Sequence, residues 1–170
     1  MPYRGLELTV QGTDSEHRGY YEAAGDGRLV VQRCDACRLL RGEIGASCPY
    51  CLARGWTWHT VSGNGTIFSY QIVTQAIQPA FADWAPYPVV LVELDEQRAV
   101  PWRGGREGES VSVRLVRNLV RRDDPTQPEA EEEVAIGKRV RVCFVPFGEG
   151  LALPQFCLSD EPPEHEPWRA

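Results

Sequence analysis

The sequence lacks a long apolar segment. No apolar run approaches the roughly 20 residues that a membrane-spanning helix needs. The first residues, "MPYRGLELTVQGTDSEH", also lack the apolar core and cleavage site of a secretory signal peptide. We therefore expect a protein of the cytoplasm that has no membrane partner.

Lysine is nearly absent, since Lys138 is the only one beside 17 arginines. The formal net charge is −6 and the pI is about 5.1. General binding of nucleic acid needs a surplus of cations that displace counterions from phosphates, and this chain has the opposite balance. Arginine side chains end in planar guanidinium groups that suit carboxylate or phosphate, so the composition still allows local anion sites.

Groups for catalysis are few. The three histidines, His17, His59 and His165, fall on a predicted helix, a predicted strand and the C-terminal segment. The sequence has no serine nucleophile elbow and no glycine loop that would cradle a phosphate. Cys143 and Cys157 lie within apolar strand patterns, so we expect both to be buried as small hydrophobic side chains. We expect no autonomous active site, and whether the chain is part of an enzyme stays open at this point.

The patterns that are present predict one short helix and then strands. The segment "SEHRGYYEAA" (15–24) has a capping residue and good helix formers, and it ends before the Gly25–Gly27 pair. The segment "RLVVQRC" (28–34) indicates a strand. Five later runs are short, rich in Val, Phe and Tyr, and bounded by Gly, Pro and Asp. They are "IFSYQIV" (67–73), "YPVVLVELDE" (87–96), "SVSVRLVRNLV" (110–120), "KRVRVCFVPF" (138–147) and "LALPQFCL" (151–158).

Five such runs without a long helix between them favour a small antiparallel barrel. The fold class is therefore mainly β, with a short N-terminal helix, a four-cysteine ribbon and a five-stranded barrel. The predicted organisation is an arm and helix at 1–28, the ribbon at 29–60, the barrel at 61–159 and a disordered Pro/Glu-rich tail at 160–170.

Four of the six cysteines lie in one stretch, "CDACRLLRGEIGASCPYC". Cys34 and Cys37 form one C-x-x-C pair, Cys48 and Cys51 form a second, and ten residues separate the pairs. Each pair can turn both thiolates of a tight knuckle toward one ion, and a linker of this length brings two knuckles together as a hairpin. Four thiolates at about 2.3 Å complete a tetrahedron around Zn²⁺ with no open position for water. The spacing predicts a structural zinc ribbon.

Other uses of these cysteines fit less well. A disulfide framework is rare in the cytoplasm, and a redox dithiol usually needs a single C-x-x-C pair at a helix N-terminus. Rubredoxin-type iron binds the same four thiolates, so iron is possible as a substitute for zinc, which we favour. Zinc ribbons often carry glycine after the second cysteine of a knuckle, where φ turns positive, and this chain has Arg38 and Leu52 there.

The order of these features resembles a known family. The phrases "GRLVVQRCDAC", "CPYC", "VSGNGTIFSY" and "PYPVVLVELDE" occur in that order, followed by "IGKRVRVCF" and "LPQF". In combination, over roughly residues 16–158, they resemble the DUF35 family, whose members have a rubredoxin-like zinc ribbon followed by an OB-fold. The segment "DDPTQPEAEEE" is longer and more acidic than that pattern. The resemblance implies that the five-stranded barrel is an OB-fold.

The resemblance also implies partners. Members of this family form complexes with thiolase-like proteins, as small subunits of acyl-CoA thiolases, steroid side-chain retro-aldolases and acyltransferases. The thiolase-like subunit supplies the catalytic groups, and the zinc/OB subunit is a scaffold that in some members helps to hold the CoA ester. We therefore expect an accessory subunit in a heterotetramer of two copies of each chain, with acyl-CoA at or near the interface.

Six residues are candidates for contact with acyl-CoA or with the partner. They are Phe81, Trp84, Tyr87, Arg117, Arg121 and Arg122. The three aromatic residues lie on a proline-stiffened loop, where they either meet a partner or an acyl group or cap the open end of the barrel. The three arginines end the third barrel run, where they either bind the phosphates of CoA or are solvated and paired with neighbouring aspartates.

A single-stranded nucleic-acid binder is the alternative function class, because zinc ribbons and OB-folds both serve that purpose. Such a protein needs aromatic side chains beside basic ones. Phe68 and Tyr70 can stack on bases, but the segment "TIFSYQIV" around them contains no Lys or Arg. Together with the net charge of −6, this favours the accessory subunit.

Overall fold

The structure is a computed structural model that describes residues 3–8, 10, 15–102 and 104–169. Its elements are one α-helix, ten β-strands and two short 3₁₀ turns within those residues. The bounds are α1 Ser15–Gly25, β1 Leu29–Cys34, β2 Leu40–Arg41, β3 Trp56–Val61, β4 Asn64–Val73, β5 Tyr87–Leu94, β6 Val100–Pro101, β7 Ser110–Val111, β8 Arg114–Asn118, β9 Arg139–Gly148 and β10 Leu151–Leu158. No helix in the described part is long and apolar enough to span a membrane.

The predicted N-terminal helix is confirmed, and its end has a clear local cause. Gly27 has φ +75°, in the left-handed region that glycine adopts without a steric penalty. The Arg28 N–H donates to the Ala23 carbonyl at 2.8 Å and the Gly27 N–H to the Ala24 carbonyl at 2.9 Å. These two bonds form a Schellman motif, which satisfies carbonyls at the helix end. The helix buries Tyr20 together with the two alanines.

The ribbon is a three-stranded antiparallel sheet in the order β2-β1-β3. Its central strand buries Leu29, Val30 and Val31, each at most 2% exposed. These side chains join the same apolar cluster as Val90 and Phe156 of the larger sheet. The ribbon and the larger sheet therefore share a continuous core, and the expected bounds between the domains stay a prediction.

The larger sheet has the strand order β10-β9-β4-β5-β8. A parallel bridge between Leu119 and Phe156 links the far ends, and the Val120 N–H donates to the Phe156 carbonyl at 2.8 Å, which closes the sheet into a barrel. The predicted five-stranded barrel is thus confirmed. The predicted run 110–120 divides into β7 and β8, because the Val113 N–H donates to the Gln97 carbonyl between them.

Cys143 and Cys157 form a disulfide, with their Cα atoms 6.2 Å apart. Cys157 is fully buried, whereas Cys143 is half-buried. This corrects the expectation that both serve only as small hydrophobic side chains. The two residues lie on paired strands, β9 and β10, where Cys157 faces Arg141 and Cys143 faces Gln155, so they are diagonal neighbours.

The last segment, residues 160–169, has defined contacts in place of the disorder expected from its composition. Trp168 and Ile136 exchange backbone hydrogen bonds of 2.9 and 3.1 Å. Glu161 pairs with Arg139 at 2.8 Å. The physical reason is the burial of Arg139, whose side chain is only 8% exposed and therefore needs carboxylate partners.

Candidate metal centre and contact surfaces

The four predicted ligand cysteines converge in the ribbon. Their sulfur atoms all lie within 4.8 Å of one another. The Sγ atoms of Cys34 and Cys51 are 3.6 Å apart, as are those of Cys37 and Cys48. A tetrahedron with metal–sulfur distances of about 2.3 Å has sulfur–sulfur edges of about 3.8 Å. The donor set and its size therefore fit one tetrahedral metal ion.

Each knuckle closes with a left-handed residue. The Arg38 N–H donates to the Cys34 carbonyl at 3.0 Å, and the Leu52 N–H donates to the Cys48 carbonyl at 2.9 Å. Arg38 has φ +66° and Leu52 has φ +63°. Both positions have the backbone conformation that glycine supplies in other ribbons, so the absence of glycine has not changed the turn.

The surroundings of the sulfurs favour the thiolate form at Cys34 and oppose it at Cys37 of the same knuckle. Burial raises the pKa of the Cys34 thiol, but the backbone N–H groups of Cys37 and Ala36 outweigh it and lower that pKa to about 6. Burial and the neighbouring thiols raise the pKa of Cys37 to about 12. Four clustered sulfurs that lack a cation must share protons in this way, and a divalent cation that replaces the protons removes the conflict.

The three aromatic candidates, Phe81, Trp84 and Tyr87, form one cluster. Their ring centroids are 5.4 to 6.0 Å apart. Two residues of the N-terminal arm complete it: the Tyr3 ring lies 6.1 Å from Phe81, and the Arg4 guanidinium lies 4.3 Å from the Trp84 ring centroid. Trp84 is 3% exposed, so it packs within the protein. The contact role of these residues stays a prediction, and the arrangement agrees with the capping interpretation for Trp84.

The role of the arm was not predicted from the sequence. Arg4 Nε donates to the Ala80 carbonyl at 2.9 Å, and its Nη2 pairs with Asp83. The residues that Arg4 contacts lie more than 70 positions along the chain. No local pattern marks a contact across that separation.

Arg121 and Arg122 line one open depression of about 800 Å³ together with Pro86, which ends the aromatic loop. Arg121 pairs with Asp123 at 2.7 Å, and Arg122 pairs with Asp160. These pairs agree with the interpretation that the arginines are solvated and paired. Such exposed pairs are weak because solvent screens them, so an anionic ligand can exchange with the aspartates.

Arg117 does not belong to that depression. Its Nη2 donates to the Tyr20 hydroxyl, and its guanidinium lies 5.5 Å from the Tyr20 ring centroid. Arg117 therefore ties β8 to α1 in this structure. Its predicted contact with acyl-CoA has no further support from the geometry.

Comparison with known proteins agrees with this architecture. Residues 22–57 match the family model described as the rubredoxin-like zinc ribbon domain of ChsH2, and residues 58–145 match its C-terminal OB-fold domain. A chain of the solved structure named "Ltp2-ChsH2(DUF35) aldolase" is 32% identical, covers 88% of this chain and 98% of its own length, and has a TM-score of 0.63. A DUF35 protein of unknown function from Sulfolobus solfataricus is 11% identical, with a TM-score of 0.49 and coverage of 85% of this chain and 86% of its own.

Among curated proteins, a "probable enoyl-CoA hydratase alpha subunit" of Thermomonospora curvata is 34% identical over 137 residues. The match covers 81% of this chain but 35% of that relative, so the chain spans about a third of the relative's length. The cysteine cluster, the barrel and both family models lead to the same conclusion: this chain belongs to the ChsH2-type DUF35 family, in which a rubredoxin-like zinc ribbon precedes an OB-fold.

Proposed function

We propose that this protein is a non-catalytic accessory subunit that braces a thiolase-like enzyme and helps to form the site for its acyl-CoA substrate. The observation that carries the proposal is the 32% identity to the chain from "Ltp2-ChsH2(DUF35) aldolase", in a match that covers 88% of this chain and 98% of that one. The curated relative's name, an enoyl-CoA hydratase subunit, supports acyl-CoA as the substrate class.

The metal in this proposal is zinc, and its role is structural. Cys34, Cys37, Cys48 and Cys51 supply four thiolates, so a tetrahedral ion bound by them has no position left for water or substrate. Thiolate donors suit both zinc and iron, and zinc is favoured because a closed structural site needs no redox change. The metal then contributes folding free energy, while the partner forms or breaks the carbon–carbon bond.

The surface that we propose for the partner or for acyl-CoA lies around the aromatic loop. Phe81 and Tyr87 are half-buried there, and Pro86 connects the loop to the depression lined by Arg121 and Arg122. An apolar loop beside two arginine forks suits an acyl thioester that carries phosphates. The complex has two copies of each chain in this proposal and works in the cytoplasm.

The first test is co-purification. A tagged chain is isolated from its native cell, and the proteins bound to it are identified by mass spectrometry. Recovery of a thiolase-like protein in near-equal amount supports the proposal. Recovery of single-stranded nucleic acid, or of no stable partner, contradicts it and favours the nucleic-acid alternative.

The second test uses the reconstituted complex and a matched pair of variants. Arg122→Glu reverses a charge in the proposed contact surface, and Arg54→Glu reverses the charge of an exposed arginine on the ribbon. We expect Arg122→Glu to weaken partner binding or raise the KM for the acyl-CoA substrate, and Arg54→Glu to change neither. Equal effects of both variants would place the contact surface elsewhere.

A further inference from the structure

Two polar side chains face each other inside the ribbon without the partners that their burial requires. Arg41 on β2 and Gln32 on β1 are paired across the sheet. Arg41 is 4% exposed and Gln32 is 1% exposed. A buried guanidinium normally has a carboxylate or several acceptors around it, because removing a cation from water is expensive.

Three donor nitrogens of this pair have no hydrogen-bond partner: Nε and Nη2 of Arg41, and Nε2 of Gln32. The remaining nitrogen of the guanidinium, Nη1, donates to the Ser47 carbonyl. The Gln32 Oε1 accepts from the Gly45 N–H at 3.0 Å. Turning the Gln32 amide over does not help, because Nε2 would then face the Gly45 N–H and two donors would meet. The cluster therefore has donors and a positive charge but lacks an acceptor.

A cavity of about 350 Å³ lies against this cluster. Its lining includes Arg41, Ser47, Ser112 and Arg114, with the exposed Glu43 also among its walls. The two serines supply hydroxyl donors that can bind phosphate-type oxygens, whereas Arg114 is already paired with Glu93 at 2.9 Å. The unpaired nitrogens are themselves shielded from solvent, so a ligand can reach them only if the turn 42–47 gives up its hydrogen bonds to Arg41 and Gln32.

Two simpler explanations account for only part of the arrangement. A water molecule accepts hydrogen bonds from two donors, but it carries no charge to balance the buried guanidinium. The tetrathiolate centre carries negative charge close by, since Ser47 directly precedes the ligand Cys48. That charge balances a cation but supplies no acceptor at the three nitrogens.

We propose that the ribbon binds a small oxyanion of the phosphate class, held by Arg41 and Gln32 between β2 and the turn 42–47. An oxyanion supplies both missing elements, because it is charged and each of its oxygens accepts more than one hydrogen bond. The site is separate from the proposed contact surface at the aromatic loop, and it stands whether or not the accessory role is correct.

The direct test uses the full-length, metal-loaded protein and inorganic phosphate as the probe, at constant ionic strength. Two-dimensional ¹H–¹⁵N NMR follows the side-chain NH₂ of Gln32 and the Nε–H of Arg41. We expect both signals to shift with one saturable binding curve. Signals that stay fixed, or that drift without saturation, would overturn the proposal, and this measurement needs no variant that has to fold.

Matched variants test the role of the guanidinium. Arg41→Gln removes the proposed ligand, whereas Arg54→Gln removes the same charge from an exposed position on the ribbon. We expect Arg41→Gln to weaken phosphate binding by about tenfold or more, the usual loss for a charge-assisted hydrogen bond. Arg54→Gln should leave it unchanged. If Arg41→Gln instead lowers only the metal content, Arg41 balances the thiolates and the proposal is wrong.

Two further probes identify the source of the oxyanion. If coenzyme A shifts the same two signals with a lower Kd than inorganic phosphate, the site binds a nucleotide phosphate. Weaker binding of coenzyme A than of phosphate assigns it to the free ion. Acetate that binds as well as phosphate would contradict the phosphate class, because the site would then recognise carboxylates.

Discussion

Replacing Leu52 by glycine should stabilise the metal-loaded protein. Leu52 has φ +63°, and the left-handed conformation costs an L-residue about 1–2 kcal/mol. Glycine removes this cost but adds about 0.5–1 kcal/mol of backbone entropy in the unfolded chain. The leucine side chain is 77% exposed, so little apolar burial is lost. The net gain is about 0.5 kcal/mol, which raises Tm by about 1–2 °C for a chain of this size.

The assay is thermal and urea unfolding at saturating zinc, because metal loss would otherwise dominate the transition. The matched control is Ala53→Gly at the next position, which lies outside the left-handed region. The control should lose about 0.5–1 kcal/mol, because glycine there adds entropy without relieving strain. If Leu52→Gly lost as much stability as the control, the reasoning and the knuckle geometry would be refuted.

Three further predictions follow from named contacts. Cys34→Ser should lose the stoichiometric metal seen by elemental analysis and melt at a lower temperature, and unchanged melting without metal would contradict a structural role. A hydrogen bond from Arg139 lowers the pKa of Asp95 below its ordinary value. The carboxylate therefore stabilises the fold above about pH 4, and this contribution is lost as the pH falls. In Asp95→Asn, the free energy of unfolding should depend less steeply on pH in the acid range. Reducing the Cys143–Cys157 disulfide should lower the free energy of unfolding by about 3 kcal/mol, and a Cys143→Ser variant should not respond to reductant.

Local patterns were sufficient for the elements whose cause is local. The strand β5 was predicted because its segment is short, rich in valine and bounded by turn residues, and in the structure its residues alternate between half-buried and buried. The helix 15–25 ends where Gly27 permits a left-handed turn. The four ligand cysteines were predicted because two tight knuckles place their thiolates by local geometry alone.

Features with a tertiary cause were missed. The tail 160–169 has the composition of a disordered segment, and it is held by Arg139, whose need for carboxylates appears only once its burial is known. The hairpin of β6 and β7 has strands of two residues each, too short for a period to be detected. The Cys143–Cys157 pairing depends on strand register, which a single sequence does not give.

The junction between ribbon and barrel explains how a closed metal site can influence a surface that it does not touch. Gln97 lies in the loop that follows β5. Its side chain accepts from the Leu40 N–H of the ribbon at 2.7 Å and donates to the Leu40 carbonyl at 2.8 Å. Gly42 packs so closely on β8 that a Cβ atom there would lie 2.1 Å from the Arg114 carbonyl oxygen. Since β8 also carries Arg117 and leads into the proposed contact surface, disorder in the ribbon would reach that surface through these contacts. A metal with no catalytic position can therefore still be required for partner binding, because it fixes the sheet against which the barrel is packed.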